Sequence, residues 1–564
     1  MDKKALKKKI LISLCLGIGF TAISYYLMLP AINIYDVGFW FYLAAVIFSF
    51  SVPFLFRRGG TVVNDKPRKI KIVNVGGKEV HGKLNFVPII LIAIPVAVVL
   101  VGSLLSSQVF NAKRYASVVN IKEAVFEEDM KEADEITNIA LMDSASAELI
   151  GKNTMGKLAD NISQYEIGYR YTQINFRNNP KKVNNLEYAD FFRWMNNRDR
   201  GIPGYVMVDP VDSKANSAEY IEFEKPLKYV ESAYFNDDLM RKLRFEYPTK
   251  IFDFVKFEID DEGKPYYIVS CMKAKIGLFG AMDVNEVIIF DPSTGDSQLY
   301  AVEDTPAWVD TVYSGDLAVQ KYNWHGMLSG GFFNSIINKV GCKQTTDDYG
   351  YITIEDDVWY FTGVTSVTAD ESNIGFIISN ARTGEYIYYA VAGAEEYSAM
   401  NAAQGQVQNM GYKASFPSLV NISGEATYIM VLKDNNGYVK QFALVNVENV
   451  NIVAIGDTQE EAIKNYRELL VKNGVVTPPA NNNPEPEDEA VGAAITVYGL
   501  RDIVIGGETY VYITTSDGNI YKCRVADNEK IITIDIGDIL DIKYIETDVE
   551  GVFEIIWFDK LYLH

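Results

Sequence analysis

The chain has 564 residues, of which 48% are hydrophobic and 13% aromatic, and its formal net charge at pH 7 is -21. This length and apolar content suffice for several buried cores, which excludes a disordered chain and predicts three or more folding units. The charge is uneven, because residues 1–106 carry a net +9 and the remainder a net -30. A body that acidic repels phosphate backbones, so no nucleic-acid partner is expected.

Three windows near the N-terminus are apolar enough to cross a bilayer. Residues 10–29, 37–56 and 86–105 contain no Asp, Glu, Lys or Arg, and twenty helical residues rise about 30 Å, the thickness of a hydrocarbon core. The alternative is a cleaved signal peptide followed by buried core helices, but the first window is long, lacks a clear cleavage site and is followed at once by a second. We therefore predict a transmembrane anchor over residues 1–106, with the lipid bilayer as its partner.

Basic residues flank these windows on one side. Five lysines precede the first window and eight basic residues lie in the loop 57–85, whereas the link 30–36 has none. Basic loops resist translocation, which predicts a plasma-membrane protein with a cytoplasmic N-terminus, a cytoplasmic loop 57–85 and an extracytoplasmic remainder. Lys113 and Arg114 follow the third window, on the predicted outer side, but the thirteen basic residues on the cytoplasmic side outnumber them. The spans carry no charge, unlike most transport pathways, so they are interpreted as an anchor.

Residues 107–200 form a predicted juxtamembrane region of mixed, partly helical structure. Helices are predicted at Ile121–Met142, Ala145–Asp160 and Leu186–Asn197. The first has an acidic face and an apolar face, as a solvated amphipathic helix does. The alternative is a helix that pairs with a neighbouring subunit.

Residues 201–476 show β patterning with repeated strand–turn–strand units. Residues 287–302, 376–391 and 428–445 each contain an apolar strand, a glycine-containing turn and a second strand, and glycine supplies the positive φ that such turns require. Helices are predicted at Ala394–Gly411 and Thr458–Lys472, the second opened by a capping box.

This hairpin-plus-helix layout, with the Asp-Pro-Ser-Thr-Gly-Asp turn at 291–296, resembles PepSY-like α+β modules over residues 250–310 and 420–472. The whole outer body resembles uncharacterised membrane-anchored bacterial envelope proteins. The resemblance implies a location in the envelope and no particular activity.

The C-terminal part is separated by a linker. Residues 477–490 contain four prolines among Asn, Glu and Asp, which predicts a semi-rigid connection. Residues 491–564 alternate short strands with turns, which predicts about six strands in a small β-barrel of the SH3 or OB type. The predicted fold is therefore a membrane-anchored α+β protein with a β-rich extracytoplasmic body and a C-terminal barrel.

Few residues in the outer body suggest chemistry. His325 is its one internal histidine and hence the candidate base of a hydrolase, with a structural histidine as the alternative. The turns at Asp260–Asp261 and Asp434–Asn436 offer oxygen ligands of the kind Ca²⁺ prefers, with solvated charge at hairpin ends as the alternative. No other cofactor is predicted, and HExxH, GxSxG and P-loop signatures are absent. A bridge between Cys271 and Cys342 is one option, which leaves Cys523 unpaired.

These patterns favour a membrane-anchored scaffold or binding protein of the bacterial cell envelope that contacts envelope proteins or associates with itself. A regulator that acts on an envelope enzyme through PepSY-like units is the first alternative. An envelope hydrolase that uses His325 is the second, and an enzyme is the less favoured reading.

Overall fold

A computed structural model describes residues 3–58, 70–72, 80–84, 86–132, 140–142, 144–156, 163–168, 170–211, 217–367, 372–476, 491–505, 508–525, 528–547 and 551–561. The chain divides into two compact units, Met1–Asn473 and Gly474–His564. The predicted linker 477–490 lies outside the described residues.

Three long apolar helices begin the first unit: α1 (Lys3–Met28), α2 (Val37–Ser51) and α3 (Phe86–Ser106). Their segments Leu6–Met28, Val37–Phe54 and Phe86–Ser106 are long and apolar enough to cross a membrane. The three predicted spans are thus confirmed as helices of the required length. Between α2 and α3, the antiparallel strands β1 (Phe56–Arg58), β2 (Ile70–Ile72) and β3 (Val80–Leu84) form a small sheet in the order β1-β3-β2.

The region after the third span contains more strand than the sequence predicts. Its elements are α4 (Gln108–Ala116), β4 (Ile121–Ala124), α5 (Phe126–Asp129), α6 (Ser144–Gly156), β5 (Tyr165–Ile167), β6 (Thr172–Phe176), β7 (Asn179–Tyr188) and α7 (Phe191–Asn197). The predicted helix Ile121–Met142 is wrong, because β4 pairs in parallel with residues 386–389 at a sheet edge. The predicted helix at 145–160 is confirmed by α6 as far as its last described residue.

The predicted helix Leu186–Asn197 is wrong in its first half. Residues 186–188 belong to β7, and α7 begins after Asp190, whose carboxylate accepts the N–H groups of Phe192 and Arg193. This aspartate is an N-cap, which fixes where the helix starts.

Two antiparallel sheets in the first half of the body pack against each other. The following elements are β8 (Ile202–Val208), β9 (Ala218–Leu227), α8 (Leu239–Glu246), β10 (Ile251–Ile259), β11 (Pro265–Ile276), β12 (Gly280–Phe290), β13 (Ser297–Ala301) and α9 (Gly315–Leu328). The first sheet has the order β5-β7-β8-β9 with β6 also on β7, and the second has the order β10-β11-β12-β13. Both contribute to one core, which includes Val183, Val206, Val269 and Ile288. Because β7 pairs with β8, this sheet joins the two predicted regions that meet at residue 200.

Two further sheets share a second core. Their elements are β14 (Lys343–Thr345), β15 (Gly350–Ile354), β16 (Asp357–Ser366), β17 (Ser372–Asn380), β18 (Tyr386–Tyr389), β19 (Gly393–Ala394), α10 (Glu396–Gln406), β20 (Lys413–Ala414), β21 (Ser418–Ile422), β22 (Glu425–Lys433), β23 (Val439–Asn446), β24 (Val453–Gly456) and α11 (Gln459–Lys472). The third sheet has the order β14-β16-β17-β18-β4, and the fourth has the order β20-β22-β23-β24. Phe361 and Phe376 of the third sheet meet Tyr428 and Met430 of the fourth in this core. Thr458 caps α11 by accepting the N–H of Glu461, as the predicted capping box requires.

The three predicted hairpins are confirmed as the pairs β12–β13, β17–β18 and β22–β23. In each, a polar side chain at the end of the first strand accepts two backbone N–H groups of its own turn: Asp291, Asn380 and Asp434 do so. These residues therefore set the turns that the glycines permit.

The second unit is a six-stranded sheet. Its strands β25 (Val491–Thr496), β26 (Gly499–Ile505), β27 (Glu508–Thr514), β28 (Ile520–Arg524), β29 (Ile539–Glu546) and β30 (Val552–Leu561) pair in the order β25-β29-β30-β28-β27-β26. The number of strands agrees with the sequence prediction. A closed barrel is not found among the described residues, because closure would require β25 and β26, at the two edges, to pair.

The body contacts the ends of α1 and α3. The guanidinium of Arg244, on α8, donates from Nε to the carbonyl of Leu29 at 3.0 Å. Ser106, the last residue of α3, accepts at Oγ the N–H groups of Leu278 and Phe279 at 3.0 and 3.2 Å. Hydrogen bonds thus hold the C-terminal ends of α1 and α3 against the body. The small sheet of β1, β2 and β3 lies between the C-terminal end of α2 and the N-terminal end of α3 in the chain.

Candidate functional site

A cavity of about 580 Å³ lies between the first and second sheets. It exists because β5 and β6 both pair with β7 but are interrupted opposite Asn184 and Asn185. Gly168, which follows β5, donates its N–H to the carbonyl of Asn185 at 3.1 Å and lies so close to Asn184 that a Cβ on the glycine would be 2.5 Å from the Asn184 Oδ1. The edge strand β10 forms the opposite wall, with its own register shift between Phe252 and Val255.

Lys256 projects into this cavity from β10. Its ammonium forms no hydrogen bond or ion pair with a described residue, and its Nζ lies 5.2 Å from the centroid of the Phe254 ring. The side chain is half-buried because it faces the cavity, while protein surrounds it on its other sides. Burial lowers the pKa of Lys256, although the nearby Glu258 carboxyl acts in the opposite direction. An ammonium in such a place attracts an anionic group.

Glu187 faces the same cavity from β7. Burial raises the pKa of Glu187 to about 7, against the hydrogen bonds from Ser232 and Asn185, which lower it. Asn185 Nδ2 donates to the Glu187 Oε1 at 2.8 Å, and the Ser232 N–H donates to its Oε2 at 3.0 Å. The cavity wall therefore includes Lys256, whose ammonium has no partner among the described residues, and Glu187, whose pKa is raised to about 7, and the carboxyl groups of Glu166 and Glu231 line it too.

A buried acidic pair lies beneath the cavity. Glu258, on the same face of β10 as Lys256, is 0% exposed and accepts the N–H groups of Asp310 and Thr311 at 3.0 and 3.1 Å. The Asp310 carboxylate accepts the N–H of Asn175 at 2.8 Å. Burial, and then the neighbouring Glu258 charge, raise the pKa of Asp310 well above its ordinary value. These carboxyls have backbone partners and do not line the cavity, so we assign them a structural role.

The remaining cavity wall combines aromatic and polar groups. Phe254, Phe257, Tyr351 and Tyr267 line it, with Arg170 at its edge. The Tyr267 hydroxyl is buried there without a hydrogen-bond partner among the described residues. Most buried polar groups in proteins are satisfied. The Lys256 ammonium, which has no partner among the described residues, is therefore the group in this cavity that an anionic ligand would pair with.

The structure places His325 away from this cavity. It lies on α9, and its Nδ1 is 2.9 Å from the carbonyl oxygen of Ala116. Ser329 is nearby, but its hydroxyl donates to the backbone carbonyl of His325 rather than to the imidazole. No carboxylate among the described residues is hydrogen-bonded to the ring. The observed role of His325 is thus to hold α4 against α9.

The acidic residues proposed as calcium ligands occupy two hairpin turns. Asp260 accepts the N–H groups of Glu262 and Lys264 at 3.1 and 2.8 Å in the β10–β11 turn, and the carbonyl of Asp261 accepts the Arg177 Nε.

The other turn joins β22 and β23. There Asp434 accepts the N–H of Asn436 and forms an ion pair with Lys440 at 3.3 Å. Within the described ranges there is no group of three or more His, Cys, Asp or Glu side chains placed to hold a metal ion. Calcium binding at either turn stays a sequence-based prediction.

Cys15, Cys271, Cys342 and Cys523 form no disulfide bond with one another. Cys271 and Cys342 are both buried and unbridged, as is Cys523. Cys342 is 3.4 Å from the Asn334 Nδ2 and 3.5 Å from the carbonyl of Met327, so its surroundings are those of a packed thiol. The optional bridge between Cys271 and Cys342 is not formed.

Sequence reasoning missed Lys256, Glu187 and the cavity they share. Lys256 lies in the run Phe-Asp-Phe-Val-Lys-Phe-Glu-Ile at 252–259, where a lysine among aromatic residues is a weak signal of burial. Glu187 falls in a segment predicted as helix, so its position opposite β10 could not be foreseen. No protein-family model matches the chain, and no curated protein is similar enough to it to count as a relative.

Proposed function

We propose that the chain is a membrane-anchored binding protein of the bacterial cell envelope, and that its central cavity holds a small molecule with an anionic group. The observation that carries the proposal is the unpaired Lys256 ammonium in a cavity between two rigid sheets. Carboxylate and phosphate are the groups an ammonium recognises best. Arg170 and the aromatic wall would add contacts to the rest of the molecule.

The orientation of the chain is part of this proposal. The body contacts the Leu29 end of α1 and the Ser106 end of α3, so it adjoins the link 30–36, which has no basic residue. The five N-terminal lysines and the basic loop 57–85 belong to the opposite ends of the helices. Because basic segments stay in the cytoplasm, the body and its cavity would face outward.

Ligand-dependent thermal stabilisation tests the cavity. The purified full-length chain in detergent would be unfolded with inorganic phosphate, succinate, glycylglycine or N-acetylglucosamine present. We expect one of the anionic probes to raise the unfolding temperature of the natural chain, because a ligand that binds the folded state stabilises it by mass action. The neutral sugar should have the smallest effect.

Two lysine variants make the test specific. Lys256→Met should abolish the stabilisation, whereas Lys225→Met, which changes an exposed lysine outside the cavity, should preserve it. Stabilisation that persists in Lys256→Met would show that the anion binds elsewhere. Absence of stabilisation by every anionic probe would count against an anion-recognising cavity.

A further inference from the structure

The surface of the body beside the third span is apolar where a soluble surface would be polar. The chain after α9 runs through a turn of π-helix at Asn334–Asn338. Here Phe333, Ile336, Ile337 and Val340 are 71%, 57%, 71% and 76% exposed. Four large apolar side chains this exposed within eight residues need a covering partner.

The position of the neighbouring β11–β12 hairpin along α3 indicates that the partner is the bilayer. The tip of the β11–β12 hairpin lies against α3 so closely that a Cβ on Gly102 would be 2.6 Å from the Phe279 ring and 3.2 Å from Leu278. Gly102 precedes the end of the span at Ser106 by four residues, or about 6 Å along a helix. Leu278 and Phe279 therefore reach below the end of the apolar span.

The helix α4 turns aside at the same level. Its Tyr115 hydroxyl donates to the carbonyl of Ser106 at 2.9 Å, although nine residues separate them, and it accepts the N–H of Ala281 from the hairpin. A straight continuation of α3 would carry Tyr115 about 13 Å further on. The Tyr115 ring meets Trp324 of α9 edge to face at 5.1 Å, and tyrosine and tryptophan favour the membrane–water interface.

One hydrophobic cluster connects these parts. Tyr115 of α4, Ile276 and Ala281 of the hairpin and Leu328 of α9 form its buried centre, and Phe332 packs against it. The exposed apolar turn begins at the residue after Phe332. The turn is thus continuous with the elements that meet the end of α3.

Three basic side chains lie on the elements that meet the end of α3. Lys273 and Lys275 on the hairpin and Lys113 on α4 are exposed and form no ion pair with a described residue. Juxtamembrane lysines are attracted to an anionic lipid surface. A contact with headgroups would also explain why Lys113 follows the third span on the side where few basic residues are expected.

We propose that Phe333, Ile336, Ile337 and Val340, with the hairpin tip at Leu278 and Phe279, enter the interfacial layer of the bilayer that the three helices cross, while Lys113, Lys273 and Lys275 contact anionic headgroups. The body then lies on the membrane in addition to being tethered to it. This contact depends neither on the ligand in the cavity nor on which side of the membrane the body occupies.

A fluorescent label at the turn tests the proposal. Ile336→Cys, in a chain whose exposed Cys15 is replaced by Ala, would carry an environment-sensitive fluorophore. The full-length protein would be placed in vesicles of phosphatidylcholine and phosphatidylglycerol. Asn436→Cys, on the exposed β22–β23 turn, is the matched control, and Val340→Cys is a second test position.

Nitroxide lipids report the depth of the label. With the apolar surface about 5–10 Å into the interface, we expect a nitroxide near the headgroup to remove about half of the emission at residues 336 and 340 and little at 436. A nitroxide deep in the acyl chains should quench less. Equal, weak quenching at all three positions would overturn the proposal. A blue-shifted emission at residue 336 without quenching would assign the surface to protein instead, and would also overturn it.

The lysines have their own readout. Replacing phosphatidylglycerol by phosphatidylcholine should reduce the quenching at residue 336. Unchanged quenching would remove the headgroup contact and leave the apolar insertion.

Discussion

Two of the regions in the first unit that contain polar groups shielded from solvent differ in whether those groups are paired. Where the body meets the helices, Arg244 is 6% exposed and donates to the carbonyls of Leu29, Tyr247 and Lys250. In the cavity, by contrast, the Lys256 ammonium and the Tyr267 hydroxyl have no partner among the described residues. Arg244 thus finds its hydrogen-bond partners within the chain, whereas the two cavity groups do not.

The difference separates a structural role from a binding role. Unpaired buried polar groups cost stability, so a fold retains them chiefly where function requires them. We therefore expect opposite signs: removing Arg244 at the junction between the body and α1 should destabilise the protein, and removing the Lys256 ammonium from the cavity should not.

The largest effect is expected at the junction. Arg244→Met removes a charged donor from three backbone carbonyls and should lower the free energy of unfolding by about 4 kcal/mol. The unfolding temperature of the full-length chain in detergent measures the change. Arg200→Met, at an exposed position, is the control and should have little effect. A difference between the two variants too small to measure would mean that the helix ends are not held by this contact.

A pH-dependent effect is expected at Glu187. Because burial raises the pKa of its carboxyl from 4.5 to about 7, the folded state binds a proton that the unfolded state releases in this range. Stability contributed by that proton falls as the pH rises from about 4.5 to 7. The glutamine of Glu187→Gln does not titrate. The free energy of unfolding of this variant, relative to that of the natural chain, should therefore rise by about 3 kcal/mol between pH 5 and pH 8.

Thermal unfolding at both pH values checks the Glu187 prediction. Glu166→Gln, which changes an exposed glutamate at the edge of the same cavity, should show no such gain. If Glu187→Gln and the natural chain keep the same difference at both pH values, the carboxyl titrates normally and is not held in a desolvated site.

Lys256→Met should change the free energy of unfolding least, and the sign of that change is the most informative. Lys256→Met keeps the length of the side chain and removes an unpaired, partly desolvated charge, so it should raise the free energy of unfolding by about 1 kcal/mol. Lys225→Met should leave it unchanged. A clear loss of stability in Lys256→Met would show that the ammonium already has a partner, and the contrast between the two regions would fail.

Local patterns predicted much of the fold. The three apolar windows, the three hairpins and the helix capped by Thr458 depend on residues close in sequence, and all appear in the structure. Ile121–Ala124 shows where such reasoning ends, because its strand is set by a partner more than 260 residues away along the chain. The membership of Leu186 in β7 was likewise decided by sheet pairing.

The cavity could not be predicted for the same reason. Glu187 and Lys256 lie on different sheets, and their proximity follows from the packing of those sheets. The residues that did attract attention, His325 and the acidic turns, are conspicuous in sequence because they are rare or clustered. In the structure their polar atoms are used by the backbone, as the Ala116 contact and the Asp260 turn show.

The proposed orientation puts the body and its cavity outside the cytoplasm, opposite the lysine-rich start of the chain. Protease treatment of cells stripped of their wall tests it most directly, with antibodies to tags at the two termini. We expect the C-terminal tag and the body to be digested while the membrane is intact, and the N-terminal tag to be lost only after lysis. A body that survives until the cells are lysed would contradict it.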